Sequence, residues 1–159
     1  MQTLLPLAEA LAARLKARGD TLAVAESAAG GLVSAALLAQ PGASAYYRGG
    51  AIVYTGAAKA ALVGLSAADV AAHRSATEGY ALLLARTMRE RLGSTWAVAE
   101  SGASGPSGNR YGDAAGHTCL AVAGPVERVL TLETGHGDRV ANMRAFAAAV
   151  LALLDECLR

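Results

Sequence analysis

The sequence has few cysteines and no spacing typical of a metal site. Its 159 residues include only two cysteines, Cys119 and Cys157, which are too few for a disulfide framework. It contains no CxxC or HxxxH pattern, and the three histidines, His73, His117 and His136, stand apart from one another. We therefore expect a reduced protein that needs no metal and no cofactor.

Long apolar runs and concentrated charge are also missing. The longest apolar stretch, residues 145–154, is much shorter than the about 20 residues that cross a bilayer. The N-terminus lacks a basic segment followed by an apolar one, so we expect a cytoplasmic protein without a membrane partner. The net charge is +1 and the basic residues are scattered, which argues against a nucleic-acid partner.

Apolar residues are abundant, and their period changes repeatedly along the chain. They make up 53% of the sequence, enough for one domain over residues 1–159 with a substantial core. The pattern predicts helices over residues 3–18, 30–39, 57–63, 66–72, 77–92 and 138–158, and strands over 22–25, 50–54, 95–99, 117–122 and 128–132. The glycine-rich residues 101–116 are predicted to form a loop. This order predicts an α/β fold, a single-domain mixed β-sheet covered by helices on both faces.

One short phrase occurs twice, as AVAESAAGG at residues 23–31 and as AVAESGASG at residues 97–105. A buried strand that runs into Glu-Ser and then small residues leaves its N–H groups and the serine hydroxyl uncovered. Because parallel strands of an α/β sheet end at the same edge, we expect the loops of Ser27 and Ser101 to line one pocket with Lys59. The alternative is that each serine only caps the turn after a buried strand.

Lysine is rare, and one of the two lysines has unusual neighbours. Of 14 basic residues only Lys16 and Lys59 are lysines, and Lys59 stands among small and apolar residues in YTGAAKAALV. A desolvated lysine, unlike arginine, can act as a base, although lowering its pKa from about 10.4 to about 7 costs roughly 4 kcal/mol. Ser27, Tyr54 and Lys59 are therefore candidates for nucleophile, bridging hydroxyl and base. The alternative is a snorkelling surface lysine and a tyrosine at a strand end.

The loop after Ser27 supplies candidate donors for a negative charge. The backbone N–H groups of Ala29, Gly30 and Gly31 lie at the predicted start of a helix, where unpaired N–H groups favour an oxyanion or a phosphate. No histidine stands in a comparable setting. A serine–lysine arrangement is thus the form of nucleophilic catalysis that the sequence supports.

Four segments stand in the order ESAAGG (26–31), GGAIVYTGAAK (49–59), SGASGP (101–106) and GDR (137–139). They resemble the CinA C-terminal domain family, whose pattern reads ESCTGG, GGxxxYSNEAK, TGIAGP and GDR. Characterised members hydrolyse nicotinamide mononucleotide to nicotinic acid mononucleotide and ammonia. The resemblance implies that fold and activity, a nucleotide substrate, a homo-oligomer, and catalytic roles for three residues, Ser27, Tyr54 and Lys59. In the pocket expected at the ends of the parallel strands, three residues of the third segment, Ser101, Gly102 and Gly105, are candidate substrate contacts.

The sequence departs from the family pattern close to the reacting groups. Residues 28–29 are Ala-Ala instead of Cys-Thr, residues 55–57 are Thr-Gly-Ala instead of Ser-Asn-Glu, and residues 109–115 replace a segment that contains Lys-Pro. Neighbouring residues orient and recognise the substrate while the serine attacks, so these changes leave the substrate open. Arg48 or Arg110 could bind a phosphate in place of the lost contacts, and either is equally expected as a solvated or structural arginine.

Two further interpretations follow from these departures. The chain could be a non-catalytic homologue that binds a nucleotide or a partner protein, or it could be an amidase for another small carboxamide. Incubation with nicotinamide mononucleotide distinguishes the first of these, because binding without release of ammonia would indicate a pocket that has lost turnover.

Overall fold

A computed structural model describes residues 1–159 as five strands and six helices. The strands are β1 (Leu22–Glu26), β2 (Tyr47–Ile52), β3 (Trp96–Ala103), β4 (His117–Ala123) and β5 (Arg128–Glu133). The helices are α1 (Leu5–Arg18), α2 (Leu32–Leu38), α3 (Gly56–Ala58), α4 (Ala67–Ala72), α5 (Glu78–Leu92) and α6 (Arg139–Cys157). Helix α3 continues as a π-helical turn, Lys59–Val63, and two short 3₁₀ segments cover Gln2–Leu4 and Ala43–Ala45.

The strands form one mixed sheet in the order β2-β1-β3-β4-β5. Strand β1 is parallel to both β2 and β3, whereas β4 is antiparallel to both β3 and β5. Ala25 of β1 lies opposite Ala99 of β3, so the two echoed strands reach the same edge of the sheet side by side. The predicted mixed sheet is confirmed, and its central parallel pair is what positions the site.

Helices cover both faces of this sheet. Side chains of successive strand residues point to opposite faces, and Val24 and Val98 pack into a cluster with α1, α2 and α6. The alanines that alternate with these valines along each strand, such as Ala25 and Ala97, pack into a second cluster with α5 and Val63. The chain therefore has an apolar core on each side of the sheet.

Several helix ends follow directly from the sequence. Ser66 caps α4 in a capping box with Asp69, Thr77 caps α5, and Asp138 caps α6 through the N–H of Ala141. A side-chain oxygen at this position satisfies an N–H group that the first helical turn leaves unpaired. These caps fix where the connecting segments enter the helices.

Two elements differ from the prediction. Strand β3 continues to Ala103, because Ser101 and Gly102 pair with β4, and the connecting loop is therefore residues 104–116. Strand β2 covers Tyr47–Ile52 rather than residues 50–54, since its pairing with β1 starts at Leu22, before an irregularity in the register, and ends at Glu26. In both cases glycine suggests a loop, and pairing with a neighbouring strand decides otherwise.

None of the helices is both long enough and apolar enough to span a membrane. The structure contains no group of three or more His, Cys, Asp or Glu side chains that could hold a metal ion. Both cysteines are free thiols.

Candidate active site

Glu26, the glutamate of the first repeated phrase, binds the N–H groups at the start of helix α2. Glu26 Oε1 accepts hydrogen bonds from Ser34 N at 2.8 Å and Ser34 Oγ at 2.6 Å. Its Oε2 accepts from Gly31 N at 2.9 Å and Val33 N at 3.0 Å. A carboxylate is favoured at a helix N-terminus by the unpaired N–H groups and the helix dipole. Glu26 therefore holds the loop after β1 from inside the protein.

The second glutamate, Glu100, holds the same loop from the neighbouring strand. It is completely buried, and its Oε2 accepts hydrogen bonds from Ser27 N at 3.1 Å and Ala29 N at 2.8 Å. Its Oε1 accepts from Thr118 Oγ1 at 2.8 Å. Burial raises the pKa of Glu100, and these hydrogen bonds oppose that rise. The repeated Glu-Ser phrase thus has a structural purpose: both carboxylates fix the main chain around Ser27.

These contacts change the prediction for the oxyanion donors. The N–H groups of Ala29 and Gly31 already donate to the two glutamates, and Gly30 N donates to Ser27 O at 3.2 Å. The N–H of Ala28, the residue directly after Ser27, makes no hydrogen bond within the protein, and Ala28 lines a cavity. Ala28 N, rather than the N–H groups of residues 29–31, is the donor that the fold leaves available beside Ser27.

A cavity of about 350 Å³ brings the three predicted catalytic residues together. Ser27 at the end of β1, Tyr54 after β2 and Lys59 in the π-helical turn all line it. The serine is 9% exposed, and its hydroxyl makes no hydrogen bond within the protein. The remaining lining residues are Gly56, Ser75, Ala76, Ser101, Gly102, Asn109, Arg110 and Tyr111.

Lys59 is held inside this cavity by groups from α5 and the segment before it. Its Nζ donates a hydrogen bond to Ser75 Oγ at 2.8 Å and lies 4.8 Å from the centre of the Tyr80 ring. Burial lowers the pKa of Lys59, Tyr111 opposes this effect, and the positive charge of Arg110 lowers the pKa further. Burial and Arg110 thus shift the equilibrium of Lys59 toward the neutral amine, the form that can accept a proton.

The sequence analysis missed the segment that contains Ser75 and Ala76. Ala76 has a positive φ of 58°, which is uncommon for a residue other than glycine. Its N–H donates to Ser101 Oγ at 3.1 Å, and its carbonyl oxygen accepts from His117 Nε2 at 3.0 Å. Ser101 therefore positions the segment that supplies the partner of Lys59. A short stretch between two helix caps carries no motif that could have identified it.

A second cavity, of about 240 Å³, lies beside the first and shares Tyr54, Gly102 and Asn109 with it. Arg139, the first residue of α6, donates to Gly105 O at 2.6 Å and to Tyr54 Oη at 3.1 Å. Tyr54 is 57% exposed, and its hydroxyl makes no hydrogen bond to Ser27 or Lys59. The predicted bridge between those residues is therefore not formed in this structure, where Arg139 is the partner of Tyr54.

The pattern of the CinA C-terminal domain matches residues 4–158, almost the whole chain. The chain belongs to the CinA C-terminal domain family. The CinA-like protein of Anaeromyxobacter sp. (strain K) is 41% identical over 155 residues, which cover 96% of this chain and 38% of that protein. The CinA-like protein of Gloeobacter violaceus is 42% identical over 121 residues, which cover 76% of this chain and 28% of that protein. This chain thus spans well under half the length of these relatives.

Solved structures of the CinA superfamily share the fold. A competence-damaged protein (CinA) superfamily protein from Escherichia coli superposes with a TM-score of 0.90 at 26% identity, over 97% of this chain and 90% of the other. A CinA superfamily protein from Klebsiella pneumoniae gives 0.90 at 29% identity, over 98% of this chain and 97% of the other. The mixed sheet with helices on both faces is therefore the CinA architecture.

Two arginines predicted to contact substrate in this CinA domain have different surroundings. Arg48 is exposed on β2, the edge strand, and lines none of the cavities. The structure does not bring it to the site. Arg110 does line the first cavity, where its guanidinium donates to Tyr111 Oη at 2.8 Å and lies 5.0 Å from the centre of that ring.

Proposed function

We propose that this chain is an amidohydrolase that cleaves the carboxamide of nicotinamide mononucleotide to nicotinic acid mononucleotide and ammonia. The observation that carries the proposal is the shared cavity of Ser27 and Lys59. The Ser27 hydroxyl has no hydrogen-bond partner in the protein, and burial lowers the pKa of Lys59. Membership of the CinA family supports the proposal, because the resemblance described above implies these roles.

In the proposed first step, Ser27 Oγ attacks the carbonyl carbon of the carboxamide and neutral Lys59 receives the serine proton. Serine is a weak nucleophile without an adjacent base. Ser75 Oγ accepts one N–H of the amine, which orients the lone pair of the neutral form away from Ser75. Tyr54 accepts its hydrogen bond from Arg139, so its own O–H proton stays free to bridge serine and lysine.

The negative charge of the tetrahedral intermediate needs a donor, and Ala28 N is the one we assign. The N–H of the residue after the nucleophile contributes to the oxyanion hole in other serine hydrolases. Collapse of the intermediate breaks the C–N bond, and Lys59 returns the proton to the leaving nitrogen, which departs as ammonia. Water, with Lys59 again as base, then hydrolyses the acyl-serine ester to release the acid and restore Ser27.

The direct test is to incubate the protein with nicotinamide mononucleotide and to measure ammonia and nicotinic acid mononucleotide. We expect both products in equal amounts from the unaltered protein and neither from Ser27→Ala. Binding of the nucleotide without ammonia would contradict the proposal and indicate a non-catalytic binding domain. If a parallel screen releases ammonia only from other carboxamides, the result would support amide hydrolysis and contradict nicotinamide mononucleotide as the substrate.

A further inference from the structure

Ala76 holds a backbone conformation that its own side chain does not favour. It is the only residue other than glycine with a positive φ, at 58°, and its methyl group is buried. For a residue other than glycine this conformation costs on the order of 1–3 kcal/mol, and it persists only where the surrounding structure imposes it. Asparagine or aspartate can offset that cost with a local side-chain hydrogen bond, but alanine cannot. The neighbouring groups therefore hold Ala76 in place.

Three side chains of the central strands bind the main chain of Ala76. Ser101 Oγ of β3 accepts from Ala76 N at 3.1 Å, and His117 Nε2 of β4 donates to Ala76 O at 3.0 Å. Cys119 Sγ lies 3.5 Å from the same oxygen, but a thiol is a weak donor. His117 is thus the principal partner of the carbonyl group, and the carboxylate of Glu133 faces its other ring nitrogen, Nδ1.

The conformation of Ala76 determines where the preceding residue, Ser75, lies. The chain after Ala76 is fixed, because Thr77 caps α5. A return of Ala76 to a negative φ would therefore turn Ser75 rather than the helix. Ser75 Oγ accepts the hydrogen bond from Lys59 Nζ at 2.8 Å and lines the first cavity. That contact depends on the positive φ.

We propose that His117 is a positioning residue for Lys59. By binding the Ala76 carbonyl, it holds Ser75 against the amine. His117 lines none of the cavities, so it acts only through the main chain of these two residues. The effect on Lys59 follows from contacts within the protein, whereas an effect on turnover rests on the proposed function. Without His117, Ala76 relaxes, and the amine loses its partner and is free to extend into solvent.

The chain has only two lysines, Lys16 and Lys59, so the contact can be observed directly. Protein labelled with ¹³C at lysine Cε gives two side-chain signals, and NMR titration measures the pKa of each. In His117→Val the Lys59 pKa should rise toward the ordinary value of about 10.4, since the released amine is no longer desolvated. The Lys16 signal should not move. His117→Gln keeps an N–H donor near the position of Nε2 and should leave both signals unchanged. An unaltered Lys59 signal in His117→Val would overturn the proposal.

Ala76→Gly tests the role of the strain. Glycine adopts a positive φ without steric cost, so adding Ala76→Gly to His117→Val should return the Lys59 pKa part of the way to its value in the unaltered protein. A histidine that only stabilised the fold predicts no such recovery, and a double variant that behaves like His117→Val would contradict the proposal. Valine is favoured in strands, and melting temperatures show whether each variant is folded. His117→Thr replaces His117→Val if the latter does not fold.

The kinetic consequence is measured with nicotinamide mononucleotide. His117→Val should lower kcat for ammonia release by roughly ten- to a hundredfold and leave KM nearly unchanged, because Lys59 acts on the serine proton rather than on substrate binding. A loss confined to KM would overturn the assignment. If the Lys59 signal responds as expected but the unaltered protein releases no ammonia, His117 stands as a positioning residue for Lys59 and the proposed amidohydrolase function fails.

Discussion

Glu100 on strand β3 accepts a hydrogen bond from the main-chain N–H of Ser27, 73 residues earlier in the sequence, at 3.1 Å. The contact links the ends of two parallel strands and fixes the backbone from which the serine hydroxyl projects. Glu26 performs the corresponding task for the start of α2. The two carboxylates differ in their partners, and this difference can be tested.

We expect Glu26→Gln to be the more destabilising of the two glutamine substitutions. Both oxygens of Glu26 accept from backbone N–H groups, so an amide NH₂ would face a donor and leave it unsatisfied, at about 1–3 kcal/mol. In Glu100→Gln the amide oxygen keeps Ser27 and Ala29, and the NH₂ can donate to Thr118 Oγ1. Chemical denaturation of both variants measures the difference, and an equal loss of unfolding free energy would contradict it.

The stability contributed by Glu100 should depend on pH. Burial raises its pKa in the folded protein, so its contribution is complete below the unfolded pKa of about 4.3 and decreases as the pH rises toward the folded pKa. Glu100→Gln stays neutral throughout. The unfolding free energy of the variant, relative to the unaltered protein, should therefore increase over that range. A difference that stays constant with pH would show that Glu100 keeps an ordinary pKa.

If Lys59 is the base, Lys59→Arg should abolish ammonia release, since arginine keeps the charge and cannot accept a proton. Lys16→Arg is the matched control, because Lys16 is exposed and its Nζ contacts only Pro41 O. Combining Lys59→Arg with Ser27→Ala should be hardly worse than either change alone, since the two residues act as one unit. Substantial activity in Lys59→Arg would place the base elsewhere.

Arg110→Gln should move the pH profile of the reaction to higher pH. The Arg110 charge lowers the pKa of Lys59, and without it the amine keeps its proton to a higher pH. The rising limb of kcat/KM, which reports the base in the free enzyme, should shift accordingly while the maximum rate at high pH is retained. An unchanged limb would show that Lys59 does not determine it.

His117 should hold its second proton to a higher pH than a free imidazole does. Its Nδ1 faces the Glu133 carboxylate and its Nε2 the Ala76 carbonyl, and only the charged ring donates to both. Burial lowers its pKa, but Glu133, the Ala76 carbonyl and the more distant Asp113 outweigh this effect and raise it. Cys119 Sγ, 3.7 Å from Nε2, is a free thiol. The stability that His117 adds should be complete below its unfolded pKa of about 6.5 and be lost as the pH rises through the folded value.

NMR titration of the ring measures this pKa directly. Glu133→Gln should lower the pKa of His117 by removing the negative partner. The unfolding free energy of this variant should decrease less between neutral and alkaline pH than the unfolding free energy of the unaltered protein does. A ring that titrates below about pH 6.5 in the unaltered protein would contradict the raised pKa.

The sequence predicts the meeting of Ser27, Lys59 and Ser101 because that meeting depends on a general rule: parallel neighbours end at the same edge of the sheet. It marks Arg139 as part of the GDR segment but does not predict its contacts with Gly105 and Tyr54, which form only when α6 packs against the loop of Gly105. The sequence does not indicate a role for Ser75 either, since its contact with Lys59 depends on the fold of a short connecting segment.

The donors after Ser27 show a different limit. A run of small residues indicates main-chain N–H groups that side chains do not cover, but not which atoms will satisfy them, and here two carboxylates bind those of Ala29 and Gly31. Glu100 is distant in sequence, and its carboxylate reaches Ala29 only through the pairing of β1 with β3. Glu100 accepts from the N–H groups on either side of Ala28, those of Ser27 and Ala29, and no group of the protein accepts from Ala28 N, which remains available.

Glu26 neutralises the positive end of α2, so the group that stabilises this helix is different from the groups that line the cavities. Glu26 balances the part of the fold that could attract an anion by itself, so the basic side chains that line the two cavities, Lys59, Arg110 and Arg139, are the remaining positive groups there. Arg110 belongs to an exposed connecting loop, which tolerates sequence change better than the core does. An exchange of such loop residues can therefore change the charge and shape of the cavity while the residues that fold the domain stay the same.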